Sequence, residues 1–467
     1  MIRPALVCSL LAMAVAVTVS AEDFPLSFRT IPAKDVMSFP GGYGTYAQAR
    51  AAKPAGVKRE PKAVSKNPLY GEWSLTGDKG GFLFRLDEPK GDGSGYDQLI
   101  VDVNRNGDLT DDPAILGVVQ PLERKGLPPT VRQMLFGPIV AAAGTTCAGG
   151  RPSYYAQGYL PDGSLFRGAE QTRKAYAGGL RFKASWYADA TVEFSGLKQK
   201  VGVYDGDSNL RLGDISKPQT SGSSGQKESW YFRSADCLLV DRDGSGVFES
   251  DSFDSESCPY GPLAYLGTTP CKLTLARDGG SLRVEPWAGA LAEVALQPHG
   301  EQVRSVTLAR EHVANQWQLL RAEVAGGRIK VPPGSYRLYG CEVLGKAAPS
   351  DQVMVAAYQR YLQRPSSFAV GRVNTLRCGG PLELKVSAEK RVPESWELQS
   401  KSLREQPVRA SDSEYVLAVN ARVEGAGGEV YSTYAKGEQW KGEPPQPTLT
   451  VKDAGGRKVG SGKLEFG

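Results

Sequence analysis

Three short acidic segments have residue types and a spacing that suit coordination of a divalent cation. They read IVDVNRNGDLTDD at 100–112, VYDGDSNLRLGD at 203–214 and LVDRDGSGVFESD at 239–251. In each, an apolar run precedes an Asp, polar residues follow two and four places later, and an apolar residue follows seven places later. Alternate side chains of a tight loop can supply the roughly six to eight oxygen ligands that Ca²⁺ takes. The repeated pattern therefore predicts calcium-binding loops, here called loops 1, 2 and 3.

The candidate ligands follow from position within each loop. The first, third and fifth positions are Asp102, Asn104 and Asn106 in loop 1, Asp205, Asp207 and Asn209 in loop 2, and Asp241, Asp243 and Ser245 in loop 3. Acids further along could complete the coordination: Asp108, Asp111 or Asp112 in loop 1, Asp214 in loop 2, and Glu249 or Asp251 in loop 3. The apolar eighth residues, Leu109, Leu212 and Phe248, are expected to anchor each loop to the core.

This spacing resembles the first half of the EF-hand calcium loop, whose sixth-position Gly permits a sharp turn. The loops depart from that motif in two ways. Pro113, Ser216 and Ser252 stand where an EF-hand has its bidentate Glu, and Leu210 stands where loop 2 should have Gly. The loops also follow predicted strands, so the resemblance implies strand-borne structural sites of weak affinity, on the order of 10⁻⁴–10⁻³ M. The alternative is that the loops are polar turns without metal.

Other chemistry finds less support in the sequence. The chain has only His299 and His312, and Gln316 stands where a metalloprotease helix would need a second His after His312. No CxxC pair occurs, which argues against a zinc ribbon and against thioredoxin-type chemistry. The net charge of +5, from 56 basic and 51 acidic residues, is too small and too mixed to indicate nucleic-acid binding.

The elements that must position the loops are predicted to be strands. Runs rich in β-branched and aromatic residues recur between Gly, Asp and Pro from Leu69 onward, which is typical of antiparallel sheet. A mostly β, multidomain chain is therefore expected. The predicted parts are an arm or linker at 22–68, a β-rich region with the three loops at 69–269, a β-sandwich at 270–389 and a small Ig-like sandwich at 390–467. In the third part, a strand, the Pro332-Pro333-Gly334 turn and a Tyr-rich strand resemble transthyretin-like sandwiches. A helix around His312 is a competing interpretation, and Asp453–Gly456 predicts a hairpin.

The first 21 residues predict export. Arg3 precedes an apolar run that ends near Ser20-Ala21, as in a secretory signal peptide cleaved after Ala21. A secreted or periplasmic location follows, with no membrane span after removal of the signal. Of seven cysteines, Cys8 lies in the signal, and the remaining six permit disulfides. Cys258–Cys271 and Cys341–Cys378 are the pairs we expect, with buried free thiols as the alternative.

Taken whole, the chain resembles uncharacterised secreted bacterial proteins that combine strand-borne DxNxNGDL loops with β-sandwich modules. The sandwich regions and the lack of a catalytic constellation favour a calcium-stabilised binding or surface module, with a polysaccharide or a cell-surface protein as the partner class. The alternative is a calcium-dependent secreted hydrolase acting on polysaccharide or peptide. A concave cleft with two carboxylates about 5–10 Å apart would favour the hydrolase.

Overall fold

The computed structural model describes most of the chain from residue 21 to residue 463. It describes residues 21–41, 44–74, 80–88, 90, 95–120, 131–161, 178–194, 196–215, 219–221, 229–231, 236–248, 256–313, 316–344, 353–358, 366–391, 416–436, 439–442, 448–452 and 455–463. The predicted signal peptide lies outside these residues, apart from Ala21. Within them the chain is almost entirely β, with several antiparallel sheets, which confirms the predicted fold class.

The strands of the N-terminal half carry the three loops. They are β1 (Glu22–Pro25), β2 (Ser27–Thr30), β3 (Thr45–Arg50), β4 (Leu69–Ser74), β5 (Gly81–Asp87), β6 (Gln98–Val101), β7 (Ile115–Leu116), β8 (Val118–Gln120), β9 (Val131–Val140), β10 (Ser153–Pro161), β11 (Gly178–Ala184), β12 (Trp186–Phe194), β13 (Leu197–Tyr204), β14 (Gln219–Ser221), β15 (Ser229–Tyr231), β16 (Cys237–Val240), β17 (Ser257–Pro259), β18 (Leu263–Leu266), β19 (Thr269–Leu275) and β20 (Ser281–Pro286).

The C-terminal half includes a short 3-10 helix, Gly300–Gln302, between its first two strands. Its strands are β21 (Ala292–Gln297), β22 (Val303–Val313), β23 (Gln316–Glu323), β24 (Arg328–Val331), β25 (Gly334–Leu344), β26 (Val353–Tyr358), β27 (Ser366–Phe368), β28 (Asn374–Arg377), β29 (Glu383–Arg391), β30 (Val416–Glu424), β31 (Val430–Lys436), β32 (Gln439–Gly442), β33 (Thr448–Lys452) and β34 (Lys458–Lys463).

Three larger sheets, together with the two-stranded sheet β14-β15, form the described N-terminal half. The nine-stranded sheet has the order β7-β6-β5-β4-β3-β11-β10-β9-β8, the five-stranded sheet β17-β16-β13-β12-β2, and the four-stranded sheet β1-β20-β19-β18. One hydrophobic cluster joins the nine- and five-stranded sheets, where Trp73 stacks on Phe182 with ring centroids 4.5 Å apart. A second cluster joins the five- and four-stranded sheets. The five-stranded sheet, which carries loops 2 and 3, is therefore packed against both of the others.

The C-terminal half is a sandwich of two unequal sheets. A three-stranded sheet, β24-β21-β28, shares a buried cluster with the larger C-terminal sheet, whose main path runs β23-β22-β25-β26-β31-β30-β29. The pairing of β21 with β28 is parallel. Leu263 and Tyr265 of β18 belong to the same cluster, so the four-stranded sheet also contacts the sandwich.

Several elements differ from the sequence-based expectations. The segment predicted as an arm contributes β1, β2 and β3, each to a different sheet. β3 alternates buried and exposed residues, as a strand with one face on the core does, and it pairs with both β4 and β11. The boundaries expected at 269/270 and 389/390 fall inside β19 and β29, and β26 pairs with β31 across the second one.

Two local predictions have a direct outcome. The helix considered around His312 is absent: that residue lies in β22, which forms a long hairpin with β23. The hairpin predicted at Asp453–Gly456 is present, because β33 and β34 pair on either side of it, although residues 453 and 454 lie outside the described part. The described part of the chain holds no helix long and apolar enough to cross a membrane.

Candidate metal centres

The three loops share one backbone conformation. Each starts directly after a strand, and the residues at its fourth and sixth positions have left-handed φ angles. The pairs are Arg105 (59°) and Gly107 (80°), Ser208 (58°) and Leu210 (72°), and Gly244 (74°) and Gly246 (79°). Such angles are uncommon for non-Gly residues and strained for a bulky one such as Leu. Their recurrence in all three loops shows that the sequence repeat is also a structural repeat.

A shared set of hydrogen bonds holds this conformation. The first Asp accepts the backbone N–H of the sixth residue in every loop: Gly107 at 2.8 Å, Leu210 at 3.0 Å and Gly246 at 2.9 Å. The fifth side chain accepts the N–H of the seventh residue through Asn106, Asn209 or Ser245. The side chains at the first and fifth positions therefore form hydrogen bonds inside each turn, although Asn106 and Ser245 are also exposed to solvent.

The eighth residues anchor the loops as predicted. Leu109 is fully buried against Val57 and Ile100, and Phe248 is buried in the cluster between the nine- and five-stranded sheets. Leu212 is half-buried and contacts two hydrophobic clusters. Each loop is thus fixed at its start by a strand and at its eighth residue by packing.

Each loop has an acid at or near the start of the next antiparallel strand, and two of these acids, Asp236 and Glu256, were not among the candidates found from sequence. β13 and β16 pair with Tyr204 opposite Cys237, so Asp205 and Asp236 are cross-strand neighbours. β16 and β17 pair with Leu239 opposite Ser257, which brings Glu256 beside the end of β16. β6 and β7 pair with Leu99 opposite Ile115, and the same register continued places Asp112 opposite Asp102.

Loop 2 forms the most buried of the acidic clusters. Carboxylate oxygens of Asp205, Asp207 and Asp236 lie within 4.8 Å of one another, and all three residues are buried. Asp236 accepts the backbone N–H of Asp214 with one oxygen at 2.8 Å, while its Oδ1 has no hydrogen-bond partner among the described residues. A buried carboxylate oxygen without a donor is costly unless a proton or a cation satisfies it.

The electrostatics of loop 2 reflect the same crowding. Burial, reinforced by the neighbouring Asp207, raises the pKa of Asp205 to about 8. Burial and then Asp205, Asp207 and Asp214 raise the pKa of Asp236 well above its ordinary value. Tyr154 donates its hydroxyl to Asp205 at 2.7 Å, and the Asn209 amide donates to Asp207 and Asp214. A cation at the centre would compete with these amide hydrogen bonds while relieving the repulsion.

Loop 3 forms a second cluster at a more exposed place. Oxygens of Asp241, Asp243 and Glu256 lie within 4.8 Å of one another. Asp241 and Glu256 are buried, at 6% and 4% exposed, whereas Asp243 is exposed. Asp241 Oδ1 has no hydrogen-bond partner among the described residues, and Glu256 accepts the Arg242 N–H at 3.1 Å. The predicted ligands Glu249 and Asp251 lie outside the described residues.

Loop 1 has the sequence motif, but its acidic side chains lie less close together than those at loops 2 and 3. Two groups of three acidic side chains within 4.8 Å occur among the described residues, and loop 1 contributes to neither. Asp108 is turned away by an ion pair with Arg59 at 2.9 Å, so it is a poor candidate ligand. Asp111 accepts the amide N–H groups of Asn104 and Asn106.

Asp112 is the acid of loop 1 that remains available to a cation. One of its oxygens accepts the Val103 N–H at 3.2 Å, and its Oδ2 has no hydrogen-bond partner among the described residues. Burial, with contributions from Asp102, Asp111 and Asp108, raises the pKa of Asp112 to about 6. The structure therefore favours Asp112 over Asp111 as the additional ligand of loop 1.

A surface cleft of about 450 Å³ lies beside loop 3 and bears on the hydrolase alternative. Its described lining includes one carboxylate, Asp189, which is buried. Arg29 donates to Asp189 at 2.9 Å, and Lys200 lies 3.3 Å from its second oxygen. The cleft thus presents a neutralised acid rather than two carboxylates facing each other, so it does not favour glycoside hydrolysis.

Comparison with known proteins does not assign this chain to a family. No family model matches it, and neither a curated protein nor a solved structure gives a match. The functional interpretation therefore rests on the geometry of the loops.

Proposed function

We propose that this chain is an exported calcium-binding β-protein, in which Ca²⁺ ions held by the three loops stabilise a binding or surface module. The observation that carries the proposal is the convergence of Asp205, Asp207 and Asp236 in the protein interior, where one Asp236 oxygen has no donor among the residues that the structure describes. A polysaccharide or a cell-surface protein is the proposed partner class.

Calcium suits these centres because the donors are hard oxygens. Each loop offers carboxylates with amide, hydroxyl or backbone oxygens nearby, and the described clusters contain neither His nor Cys. Transition metals favour imidazole and thiolate, whereas Ca²⁺ favours carboxylate and carbonyl oxygen in flexible geometry. Export supports the same choice, since calcium outside the cytoplasm is abundant enough for weak structural sites.

The order of affinity expected from the structure is loop 2, then loop 3, then loop 1. The cluster at loop 2 has three buried carboxylates, and the cluster at loop 3 has two buried carboxylates and one exposed carboxylate. The described acids of loop 1 form no group of three within 4.8 Å. Loop 2, which follows β13 of the five-stranded sheet, also contacts two strands of the nine-stranded sheet: Tyr154 of β10 donates to Asp205, and Ser208 donates to the Phe182 carbonyl of β11. An ion there stabilises the junction between the nine- and five-stranded sheets.

Calorimetric titration and thermal unfolding of the chain without residues 1–21 test this proposal. Calcium at about 100-fold above Kd should stabilise the protein by about 2.7 kcal/mol per site, since it binds only the folded state. For a domain of about 150–250 residues, this stabilisation corresponds to a rise of roughly 5–10 °C in Tm. For a Kd of about 10⁻⁴–10⁻³ M this excess is roughly 10–100 mM calcium, and an unchanged Tm between that concentration and chelator would overturn the proposal.

The Asp236→Asn variant assigns the effect to loop 2. Without calcium it should be as stable as the parent or more stable, because it removes one of three crowded carboxylates; with calcium it should lose most of the loop 2 stabilisation. Asp87→Asn is the matched control, because Asp87 is fully buried but accepts backbone N–H groups from Val64, Ser65 and Glu88. The Asp87→Asn substitution should lower Tm by the same amount in calcium and in chelator. A full calcium response in Asp236→Asn would show that Asp236 is not a ligand.

A further inference from the structure

A pair of buried cysteines lies between the two sheets of the C-terminal sandwich. Cys341 is in β25 of the C-terminal sheet, where it is 3% exposed and pairs with Val306 and Ala357. Cys378 follows β28 of the three-stranded sheet and is fully buried. All six described cysteines are free thiols in the structure, so neither pair expected from the sequence is bonded there.

Contacts around these two thiols bring them to the same point. Cys341 is in hydrogen-bond contact with both Cys378 and the Tyr431 hydroxyl. Tyr431 donates to Glu429 at 3.0 Å, and Glu429 also accepts the N–H of Gly379, the residue after Cys378. Glu429 is fully buried, so this small polar network fixes both sheets around the thiol pair. In the other expected pair, the Cys271 thiol donates to the Thr269 carbonyl.

We propose that Cys341 and Cys378 form an intersheet disulfide when the chain folds under oxidising conditions. Two thiols give up two electrons and two protons to a disulfide oxidant, for example oxidised glutathione, which is released as two thiols. The bond links residues far apart in sequence across the sandwich core, where it restricts the unfolded chain. This inference goes beyond the calcium proposal and does not depend on metal binding.

The bond must form before the sandwich closes. Thiol–disulfide exchange requires a thiolate and access to an oxidant. In the folded chain the hydrogen bond with Cys378 and then burial raise the pKa of Cys341 well above its ordinary value, and both thiols are shielded from solvent. A chain that folds with both thiols reduced should therefore stay reduced, and a chain that folds with the bond should keep it.

Refolding the reduced, denatured chain (residues 22–467) in a glutathione redox buffer tests the proposal. After acid quenching, the protein is denatured, treated with N-ethylmaleimide and weighed by mass spectrometry. Four of the six cysteines should react, and peptide mapping should find Cys341 linked to Cys378. Six adducts, or a bond between other cysteines, would overturn the proposal. The count is made on denatured protein, with calcium and with chelator, so its outcome is separate from that of the calcium titration.

Two further arms keep the result interpretable. Chain refolded with dithiothreitol and then exposed to oxidised glutathione should form the bond at least 100-fold more slowly than denatured chain, and an equal rate would contradict the proposed order of events.

Cys258→Ser is the matched control, because Cys258 is only half-buried on β17. That variant should give three adducts and the same linked peptide, whereas loss of the linked peptide would overturn the assignment.

Discussion

Leu210 shows how a loop position can override the preference of its residue. Its φ of 72° matches Gly107 and Gly246 at the same position of the other loops. A left-handed conformation costs an L-residue roughly 1–2 kcal/mol. In return, the Leu210 N–H donates to Asp205 and its side chain packs against the core between the sheets. At the sixth loop position, the left-handed backbone conformation is therefore kept even where the residue is not Gly.

Gly107 and Gly244 allow a matched test of backbone strain at single residues. Both have left-handed φ angles, but a Cβ at Gly107 would lie 2.5 Å from the Gly56 carbonyl oxygen, whereas one at Gly244 would meet no described atom within 4 Å. Gly244→Ala should cost about 1–2 kcal/mol of unfolding free energy from strain alone. Gly107→Ala should cost a further ~1–3 kcal/mol from the clash. Urea unfolding followed by tryptophan fluorescence measures both, and equal losses would contradict the contact with Gly56.

Lys183 gives a prediction of pH dependence. It is 4% exposed on β11, its Nζ donates to the Met37 and Phe39 carbonyls, and burial, followed by the nearby Arg181, lowers its pKa to about 8. Between pH 8 and 10.5 the unfolded chain holds this proton more tightly than the folded chain, so this contribution to stability rises with pH. Relative to Lys183→Met, the parent should gain about 2 kcal/mol from pH 7.5 to pH 10.

The control for Lys183 is a lysine of ordinary exposure on a neighbouring sheet. Lys198 is exposed on β13 and paired with Glu193, which raises its pKa above its ordinary value and out of the tested range. Lys198→Met should therefore follow the pH dependence of the parent. Urea unfolding in saturating calcium measures all three proteins, and a parallel pH response of the parent and Lys183→Met would contradict the lowered pKa.

At the scale of elements, strand pairing decides which acids meet. Asp112, Asp236 and Glu256 each stand at or near the start of a strand that pairs with the strand before a loop. In the proposed calcium sites, the loop would supply three ligand positions close in sequence, and the neighbouring strand would supply a more distant carboxylate, as Asp236 is 31 residues from Asp205. This arrangement would take the place of the bidentate Glu that an EF-hand carries within its own loop.

The cross-strand acids make a stoichiometric prediction. Asp112→Asn and Glu256→Gln should each remove one calcium equivalent in calorimetric titration, because each takes away the carboxylate that completes a loop. Asp111→Asn is the control for loop 1, since Asp111 is exposed and accepts the amides of Asn104 and Asn106. It should leave the stoichiometry unchanged. Loss of an equivalent in Asp111→Asn, and not in Asp112→Asn, would reverse the assignment.

These elements also show what the sequence could and could not predict. The strands and the residues at loop positions one, three and five are local patterns, so they can be found without knowing the fold. Asp236 could not be found in that way, because its role depends on the register of β16 against β13. The position 389/390 lies inside β29, and β26 pairs with β31 beyond it, a long-range pairing that no local signal marks.

At the scale of the whole molecule, the proposed ions lie in one half of the chain. Their described ligands fall between Asp102 and Glu256, on the nine- and five-stranded sheets. The C-terminal sandwich has its own buried cluster and meets the N-terminal half at Leu263, whose N–H donates to the Gln318 side-chain oxygen of β23 at 3.2 Å. Arg242 of loop 3 also lies 3.7 Å from Glu323 of β23. Calcium should therefore stabilise the two halves unequally.

Hydrogen exchange with and without calcium measures that difference. Chelation should speed exchange in β13 and β16, since these strands carry loops 2 and 3 and lose the binding free energy of their ions. A site stabilised by about 2.7 kcal/mol corresponds to a change of roughly 100-fold in local opening. β25, in the middle of the C-terminal sheet, should change little, because its protection comes from the sandwich core. An equal loss of protection in β25 and β13 would show that calcium acts on the molecule as one cooperative unit, and unchanged exchange in β13 would remove loop 2 as a calcium site.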